Sequence, residues 1–142
     1  ERCSMPNSVF YWPIRVYYED TDAGGIVYNS NYLNFMERAR TEWLRSLGIE
    51  QDVLRNRHHV GFVVSHIDVD FRRPARFNSS LRATVEIVKI GFASIVFAQK
   101  ILNENDDELV SATVKIACVS EPELRPSAFP SEIKDMITNG TK

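Results

Sequence analysis

The chain has 142 residues, of which 44% are hydrophobic and 25% charged, as in an ordinary soluble globular domain. A domain of this length buries roughly 70% of the surface that its unfolded chain exposes, which is enough for one hydrophobic core. The formal net charge of −2 argues against a nucleic-acid or anionic membrane-surface partner. No apolar run is long enough to span a membrane, and residues 1–9 lack the apolar segment of a signal peptide. We therefore predict a cytoplasmic protein without a membrane span.

We expect one domain over residues 11–138, flanked by a flexible N-terminal tail over residues 1–10 and a C-terminal tail over residues 139–142. The two cysteines, Cys3 and Cys118, do not form a disulfide framework, which agrees with a reducing compartment. Cys118 lies within an alternating apolar segment, so we interpret it as a small buried side chain.

The first predicted elements are a strand and a long helix. Residues 11–19 alternate and are rich in aromatic and β-branched side chains, which predicts a strand. After an acidic, glycine-containing loop, residues 30–47 have helical periodicity, and Gly48 suits the position just after a helix end. Apolar side chains cover about half of this helix, more than the ~100° stripe of a surface helix, so we expect the rest of the chain to wrap around it. Residues 51–57 and the segment after Pro130 are predicted to form short helices.

Four more strands are predicted over residues 62–71, 81–90, 95–102 and 109–119, because apolar side chains alternate in each and turn residues separate them. Short links between consecutive strands favour antiparallel pairing. The long helix would span about 27 Å, close to the roughly 27–34 Å of these strands. We therefore predict an α+β fold with one long central helix wrapped by a curved antiparallel sheet. The predicted inward residues are Val63, Ile67, Val69, Phe71, Leu81, Ala83, Val85, Ile87, Ile95, Phe97, Ile101, Val110, Ala112, Val114, Ile116 and Cys118.

The most informative segment is residues 18–32, Tyr-Glu-Asp-Thr-Asp-Ala-Gly-Gly-Ile-Val-Tyr-Asn-Ser-Asn-Tyr. It brings carboxylates, two glycines and the start of the long helix close together in sequence. A carboxylate can act as a base or a nucleophile, and backbone N–H groups at a helix N-terminus can bind an oxygen that gains negative charge. Attack on a carbonyl group needs both parts, so this segment predicts a site for that chemistry.

With its surroundings, this segment resembles the hotdog-fold acyl-CoA thioesterases of the 4-hydroxybenzoyl-CoA thioesterase superfamily, especially the YbgC-type, Tol–Pal-associated branch. The resemblance rests on Asp-x-Asp-x-x-Gly-Ile-Val at residues 20–27 and Glu-Arg-Ala-Arg-Thr-Glu at residues 37–42, and it extends over nearly all of residues 12–137. It implies a hotdog fold that hydrolyses acyl-CoA thioesters to a free acid and coenzyme A. It also implies a homo-oligomer, a dimer or a homotetramer built as a dimer of dimers, with sites between protomers. No cofactor is implied, because coenzyme A is part of the substrate.

The resemblance assigns the catalytic carboxylate to Asp22, as general base or nucleophile, and the carbonyl-polarising donor to a backbone N–H at or near Asn29. YbgC-type sequences usually carry His where this chain has Asn29, and the alternative role of Asn29 is that of a helix N-cap. Gly24 and Gly25 would allow a sharp bend and a close approach of the thioester to the backbone.

The remaining substrate-binding candidates are aromatic and basic side chains. The aromatic residues expected to line the acyl site are Tyr28, Tyr32 and Phe35. Three arginines around Pro74 suit the phosphates of coenzyme A, or alternatively form a solvated turn: Arg72, Arg73 and Arg76. The type and length of the acyl group stay open.

Three charged residues have structural alternatives to a catalytic role. Asp20 is expected to orient the loop by accepting backbone hydrogen bonds. Glu37 is the second candidate for the catalytic carboxylate, because another hotdog branch uses a helix glutamate. Arg40 falls within the apolar arc of the helix, where it should either extend to the helix flank or pair with a buried carboxylate.

Two other functions stay open alongside hydrolysis. A hotdog hydratase or dehydratase usually pairs His with a carboxylate, and no His falls in the loop or the long helix. His58, His59 and His66 lack metal-site spacing, so we interpret them as structural or surface residues. The other function is a non-catalytic module that binds an acyl thioester or a protein, against which the intact Asp22 loop argues. Thioesters of acyl carrier protein are an alternative substrate.

Overall fold

The computed structural model describes residues 9–140, so the predicted N-terminal tail lies almost wholly outside the described residues. In this part of the chain the elements follow in the order β1 (Phe10–Arg15), α1 (Asn29–Ser46), α2 (Gln51–Val53), β2 (Val60–Phe71), β3 (Ser80–Ile90), β4 (Ser94–Leu102), β5 (Glu108–Ser120) and α3 (Ser131–Gly140). A 3₁₀ turn (Tyr18–Asp20) precedes α1, and a π-helical turn (Leu54–His58) continues α2. The predicted α+β composition is confirmed.

The strands form one antiparallel sheet in the order β1-β3-β4-β5-β2. Antiparallel pairing of consecutive strands is confirmed for β3, β4 and β5. It is wrong for β2 and β3, because β2 lies at the far edge beside β5, and β1 takes the place next to β3. The connection between β2 and β3 therefore crosses the molecule. On its way it binds the start of α1, where Val27 N–H donates to Ala75 O at 2.8 Å.

The long helix α1 packs across one face of the sheet, mainly against β3, β1 and β4. It ends as predicted, because Gly48 adopts φ +87°, a left-handed conformation in which a side chain would be strained. The short helix α3 adds two buried isoleucines, Ile133 and Ile137, to the same core. The fully buried side chains of α1 are Phe35, Met36 and Ala39.

The predicted inward face of β2 is partly wrong, because a β-bulge between Val64 and His66 shifts its register against β5. Before the bulge, Phe62 and Val64 lie opposite buried residues of β5, so they share the face that α1 covers, and Val63 does not. A bulge reverses the alternation of a strand, so a strict period of two cannot fit both halves. The inward residues predicted for β3, β4 and β5 are confirmed by their burial.

The first strand is shorter than predicted, ending at Arg15. Its continuation bends into the 3₁₀ turn because the Asp20 carboxylate accepts the Tyr17 N–H at 2.9 Å. The loop that follows this turn leads directly to the N-terminus of α1. Within residues 9–140, no helix is both long enough and apolar enough to cross a membrane.

Candidate active site

The loop that carries Asp22 is a tight turn closed by hydrogen bonds across it. Asp22 N–H donates to Ile26 O at 2.9 Å, and Gly25 N–H donates to Asp22 O at 3.0 Å. Gly24 N–H donates to Asp22 Oδ1 at 2.8 Å, which orients the carboxylate. Gly25 has φ +80°, which favours glycine. The turn therefore favours glycine at Gly25, while a Cβ on Gly24 would lie 3.3 Å from Asp22 Oδ1 and would require a small shift of that side chain.

Buried Asp20 holds this loop to the neighbouring elements. Its carboxylate accepts the Tyr17 N–H, and its carbonyl accepts the Tyr28 N–H at 3.0 Å and the Asn31 amide at 2.9 Å. These bonds agree with the orienting role predicted for Asp20, and they join the strand end, the loop and the first turn of α1. Asn31 is not among the predicted site residues, because nothing in the sequence links it to a carbonyl eleven positions earlier.

The head of α1 differs from the prediction in one respect. Tyr28, not Asn29, is the N-cap, with φ −67° and ψ 138°, and its side chain makes no capping hydrogen bond. Asn29 is the first helical residue, and among residues 9–140 we find no acceptor for its backbone N–H. N–H groups at this position have no partner within the helix and lie at the positive end of the helix dipole. This donor is therefore free to bind a ligand oxygen, and its catalytic role stays a prediction.

An open depression of about 280 Å³ lies at this helix head. Tyr32 contributes a buried phenol, whose oxygen accepts the Ala75 N–H at 2.9 Å, and burial raises the pKa of Tyr32 above its usual value. Asp22 is exposed and lies just outside the depression, at the opposite end of the turn that lines it. Of the predicted aromatic walls, Phe35 is fully buried and Tyr28 is exposed. The residues that line the depression are Ile26, Val27, Asn29, Tyr32, Phe71, Arg72, Arg73 and Pro74.

The three candidate arginines fall into two groups. Arg72 and Arg73 line the depression, but each forms an ion pair with the start of β5 or the turn before it: Arg72 with Glu108 at 3.6 Å, and Arg73 with Asp107 at 3.4 Å. Arg76 lies instead where the chain forms a β-bridge with Ile26 of the Asp22 loop, and it has no ion pair within residues 9–140. Of the three, Arg76 is the one whose guanidinium has no carboxylate partner among residues 9–140.

A second cavity, of about 120 Å³, lies between α1 and the β2 side of the sheet. Its walls combine polar residues of α1 and α2 with apolar residues of the sheet. Thr41 Oγ1 donates to Glu37 Oε2 at 2.5 Å, one turn apart on α1. The lining residues are Glu37, Arg40, Thr41, Leu44, Gln51, Phe62, Val64, Ile95, Phe97 and Ile116.

The buried Arg40 in this cavity neither reaches the helix flank nor pairs with a buried carboxylate, so both predicted alternatives are wrong. Arg40 Nη1 donates to Gln99 Oε1 at 2.9 Å. Gln99, 1% exposed, donates in turn to Met36 O and Thr84 O at 3.1 and 3.2 Å. Burial lowers the pKa of Arg40, and the nearby Glu37 charge opposes that shift. The only sequence signal for Gln99 was a polar residue in an inward register position of β4.

None of the three histidines lines either of these two cavities. His58 lies within 3.9 Å of Glu132 on α3, and His66 lies on the sheet face away from α1. No cluster of potential metal ligands occurs within the described ranges. Cys118 is buried, which confirms the prediction of a small buried side chain, and burial raises the pKa of its thiol to about 11.

Comparison with known proteins places this geometry in a family. The family model of the thioesterase-like superfamily matches residues 16–137. The chain belongs to this superfamily. The acyl-CoA thioesterase YbgC of Haemophilus influenzae is 43% identical over 130 residues, which are 92% of this chain and 95% of the relative. The acyl-CoA thioester hydrolase YbgC of Escherichia coli is 43% identical over 129 residues, 91% of this chain and 96% of the relative.

A solved structure supports the same family assignment. The crystal structure of a probable thioesterase from Bartonella henselae is 35% identical, with a TM-score of 0.82, and covers 87% of this chain and 100% of that one. The resemblance to hotdog-fold, YbgC-type thioesterases is thereby confirmed, and so is the prediction that the chain is a thioester hydrolase. The matched region includes the Asp22 loop, α1 and β2 to β5.

Proposed function

We propose that this thioesterase hydrolyses acyl-CoA thioesters to the free acid and coenzyme A, with Asp22 as the catalytic carboxylate. The observation that carries the proposal is the available backbone N–H of Asn29, beside a turn whose glycine orients a carboxylate. A donor at that place would polarise the thioester carbonyl and stabilise the oxyanion. The names of the YbgC relatives support acyl-CoA as the substrate class.

Two chemical routes fit an Asp22 carboxylate. As a nucleophile, its oxygen adds to the carbonyl carbon, the C–S bond breaks, and the coenzyme A thiolate leaves and takes up a proton. Water then cleaves the mixed anhydride and restores the carboxylate. As a base, Asp22 removes a proton from water, the hydroxide adds to the carbonyl carbon, and the proton passes to the leaving thiolate. In both routes negative charge develops on the carbonyl oxygen next to the Asn29 donor.

A second protomer is part of the proposal. The edge strand β2 pairs with β5 on one side and with no described strand on the other. Val64 and Phe71 are 46% and 48% exposed although they share the sheet face that α1 covers. An edge that is long and apolar favours association. We therefore propose a dimer through antiparallel pairing of β2 with its copy, either alone or within a dimer of dimers.

Such a dimer would complete the site. A two-fold axis across β2 places the Phe71 end of one strand beside the Phe62 end of the other. The Phe71 end belongs to the depression at the head of α1, and the Phe62 end to the 120 Å³ cavity. The thioester carbonyl would bind at the helix head of one protomer and the acyl group in the partner's cavity. That cavity equals about four water volumes of ~30 Å³ and suits a compact acyl group.

The proposal is tested by thiol release from a panel of acyl-CoA substrates with Asp22→Asn and Glu37→Gln. We expect Asp22→Asn to lose at least roughly a hundredfold in kcat, since an essential acid–base group typically contributes 10²–10⁴-fold. Glu37→Gln should retain kcat and change only the preference among acyl groups. A matched control is Asp135→Asn, because Asp135 is an exposed carboxylate on α3.

The rates of the two variants show which carboxylate is catalytic. Equal rates for wild type and Asp22→Asn would remove the assignment, and a large loss in Glu37→Gln alone would transfer the catalytic role to the helix. Single turnover in ¹⁸O-labelled water distinguishes the routes, because label enters Asp22 only if the carboxylate is the nucleophile. Sedimentation of a monomer at micromolar concentration would contradict the composite site.

A further inference from the structure

We propose that Tyr18 and Phe77 form a stacking platform for the adenine ring of coenzyme A, with Arg76 and Arg15 beside it for the 3′-phosphate. The inference rests on the proposed function, because it names the part of the acyl-CoA substrate that binds outside the catalytic depression. The two rings are nearly parallel, 9° apart, with centroids separated by 4.0 Å. We call this pair the aromatic platform.

The aromatic platform is attached directly to the catalytic loop. Phe77 N–H donates to Gly25 O at 3.2 Å, and Tyr18 O accepts both the backbone N–H and the hydroxyl of Thr21, at 3.0 and 2.9 Å. Tyr18 belongs to the 3₁₀ turn that the Asp20 carboxylate closes. Both rings are therefore held by the elements that position Asp22. The platform therefore belongs to the same loop assembly as the proposed catalytic carboxylate, and the pantetheine arm of the substrate would have to connect the two.

The platform presents an open aromatic face to solvent. Tyr18 is 76% exposed and Phe77 40% exposed, so stacking covers one side of Tyr18 and leaves the other free. Adjoining exposed apolar side chains mark a ligand-binding surface more often than scattered single ones do. A flat aromatic base stacks well on such a ring, independently of its hydrogen-bonding pattern.

The cations around the platform select a phosphorylated base rather than an uncharged aromatic ligand. Arg76 immediately precedes Phe77, and Arg15 Nη1 donates to the carbonyl of Asn78, immediately after Phe77, at 2.9 Å. Neither arginine forms an ion pair with a described residue, whereas Arg72 and Arg73 are paired with carboxylates. Guanidinium groups bind phosphate well. Because Glu19, Asp20 and Asp22 place three carboxylates on the same turn and loop, the two arginines would act through direct contact with the phosphate and not through a net positive field.

This assignment also selects the leaving group. Coenzyme A carries adenine and a 3′-phosphate, whereas an acyl carrier protein presents the same pantetheine arm without the nucleotide. An enzyme that uses the platform should therefore prefer acyl-CoA over both carrier-protein thioesters and truncated thioesters of pantetheine.

The test compares kcat/KM for one acyl group on coenzyme A, dephospho-coenzyme A and pantetheine. In Tyr18→Ala we expect a roughly tenfold loss with acyl-CoA, near the lower end of base stacking on an aromatic ring, and no loss with acyl-pantetheine. Tyr18→Trp should restore the acyl-CoA rate. Arg76→Ala should lower the ratio of acyl-CoA to acyl-dephospho-CoA by roughly two- to fivefold at low salt, as for an exposed ion pair. The matched control is Phe92→Ala, a ring 77% exposed in the turn between β3 and β4.

The possible results are distinct. Equal losses of Tyr18→Ala on acyl-CoA and acyl-pantetheine would show a structural role in the loop and overturn the platform. Unchanged rates on all three substrates would overturn it as well, and so would dissociation of the assembly without a change in the substrate ratio. An error in the catalytic role proposed for Asp22 would be detected separately, because Asp22→Asn should abolish turnover of acyl-CoA and acyl-pantetheine alike.

Discussion

Replacing Asn29 by proline would remove a single hydrogen-bond donor from the head of α1 and little else. Proline has no N–H, and it is favoured at the first helical position because its fixed φ suits the helix. Asn29 holds that position, and the preceding Tyr28 has ψ 138°, the extended conformation that a residue before proline requires. The Asn29 N–H has no acceptor among residues 9–140, so its loss breaks no bond of the described fold.

The expected magnitude follows from the role proposed for this donor. Losing one oxyanion donor typically lowers kcat by ~10²–10³-fold, or about 2.7–4 kcal/mol of transition-state stabilisation. The free energy of unfolding should stay constant or rise by about 0.4–1 kcal/mol, because proline at a compatible position restricts the unfolded chain. Activity and stability should therefore change in opposite directions, which no unfolding effect can produce.

The assay is thiol release at saturating acyl-CoA, combined with thermal unfolding at one protein concentration. The matched control is Asn29→Ala, which removes the side chain and keeps the N–H. We expect Asn29→Ala to retain kcat within about threefold, since the Asn29 side chain forms no hydrogen bond with another residue in 9–140. If Asn29→Pro is folded and as active as Asn29→Ala, the carbonyl is polarised elsewhere and the reasoning is refuted.

Three further changes test the fold around the site. Gln99→Leu should destabilise the protein by roughly 3–5 kcal/mol, because it leaves the buried Arg40 charge without its acceptor. In urea unfolding, the double variant with Arg40→Met should recover most of that loss. If the losses of the two single variants simply add, Arg40 and Gln99 are not coupled. Gly48→Ala should cost about 1 kcal/mol or more of unfolding free energy, since φ is +87° and the new Cβ would meet Met136 Cε at 3.2 Å; an unchanged Tm would show that the helix end relaxes. The pKa of Cys118 is raised from 9.0 to about 11 in the folded state. The stability that the protonated thiol contributes is therefore complete below pH 9 and is lost as pH rises toward 11. We expect the urea midpoint of Cys118→Ala to fall less between pH 8.5 and pH 10.5 than that of the wild type.

The local features of the fold could be predicted from the sequence because each is determined by residue types a few positions apart. The loop at residues 20–27 combines two acidic residues with two glycines, and α1 has a full periodic face ended by Gly48. The inward positions of β3, β4 and β5 follow from simple alternation. Such patterns depend on neighbours within a few residues, so they do not require knowledge of the tertiary structure.

The missed features depend on contacts that are distant in sequence. The bulge in β2 is a register shift against β5, and no residue type between Val64 and His66 identifies it. The partner of Arg40 is 59 positions away on another element, and that partner is a neutral amide rather than the expected carboxylate. The bond from Asn31 to the Asp20 carbonyl likewise needs the turn to be formed first. For the site, the sequence indicated the helix-head donor but not the platform, because Tyr18 and Phe77 meet only after the chain has crossed the molecule.

The edge of β2 that faces no described strand has a practical consequence for work in solution. If protomers assemble through it as proposed, a separated protomer would offer a template for further strand addition, with half-exposed valine and phenylalanine side chains along it. Dilution that separates protomers without changing this edge should therefore produce turbidity and precipitate rather than a stable monomer. Val63 points away from the sheet face that α1 covers, so Val63→Lys should block strand addition at this edge without disturbing the core and give a soluble monomer.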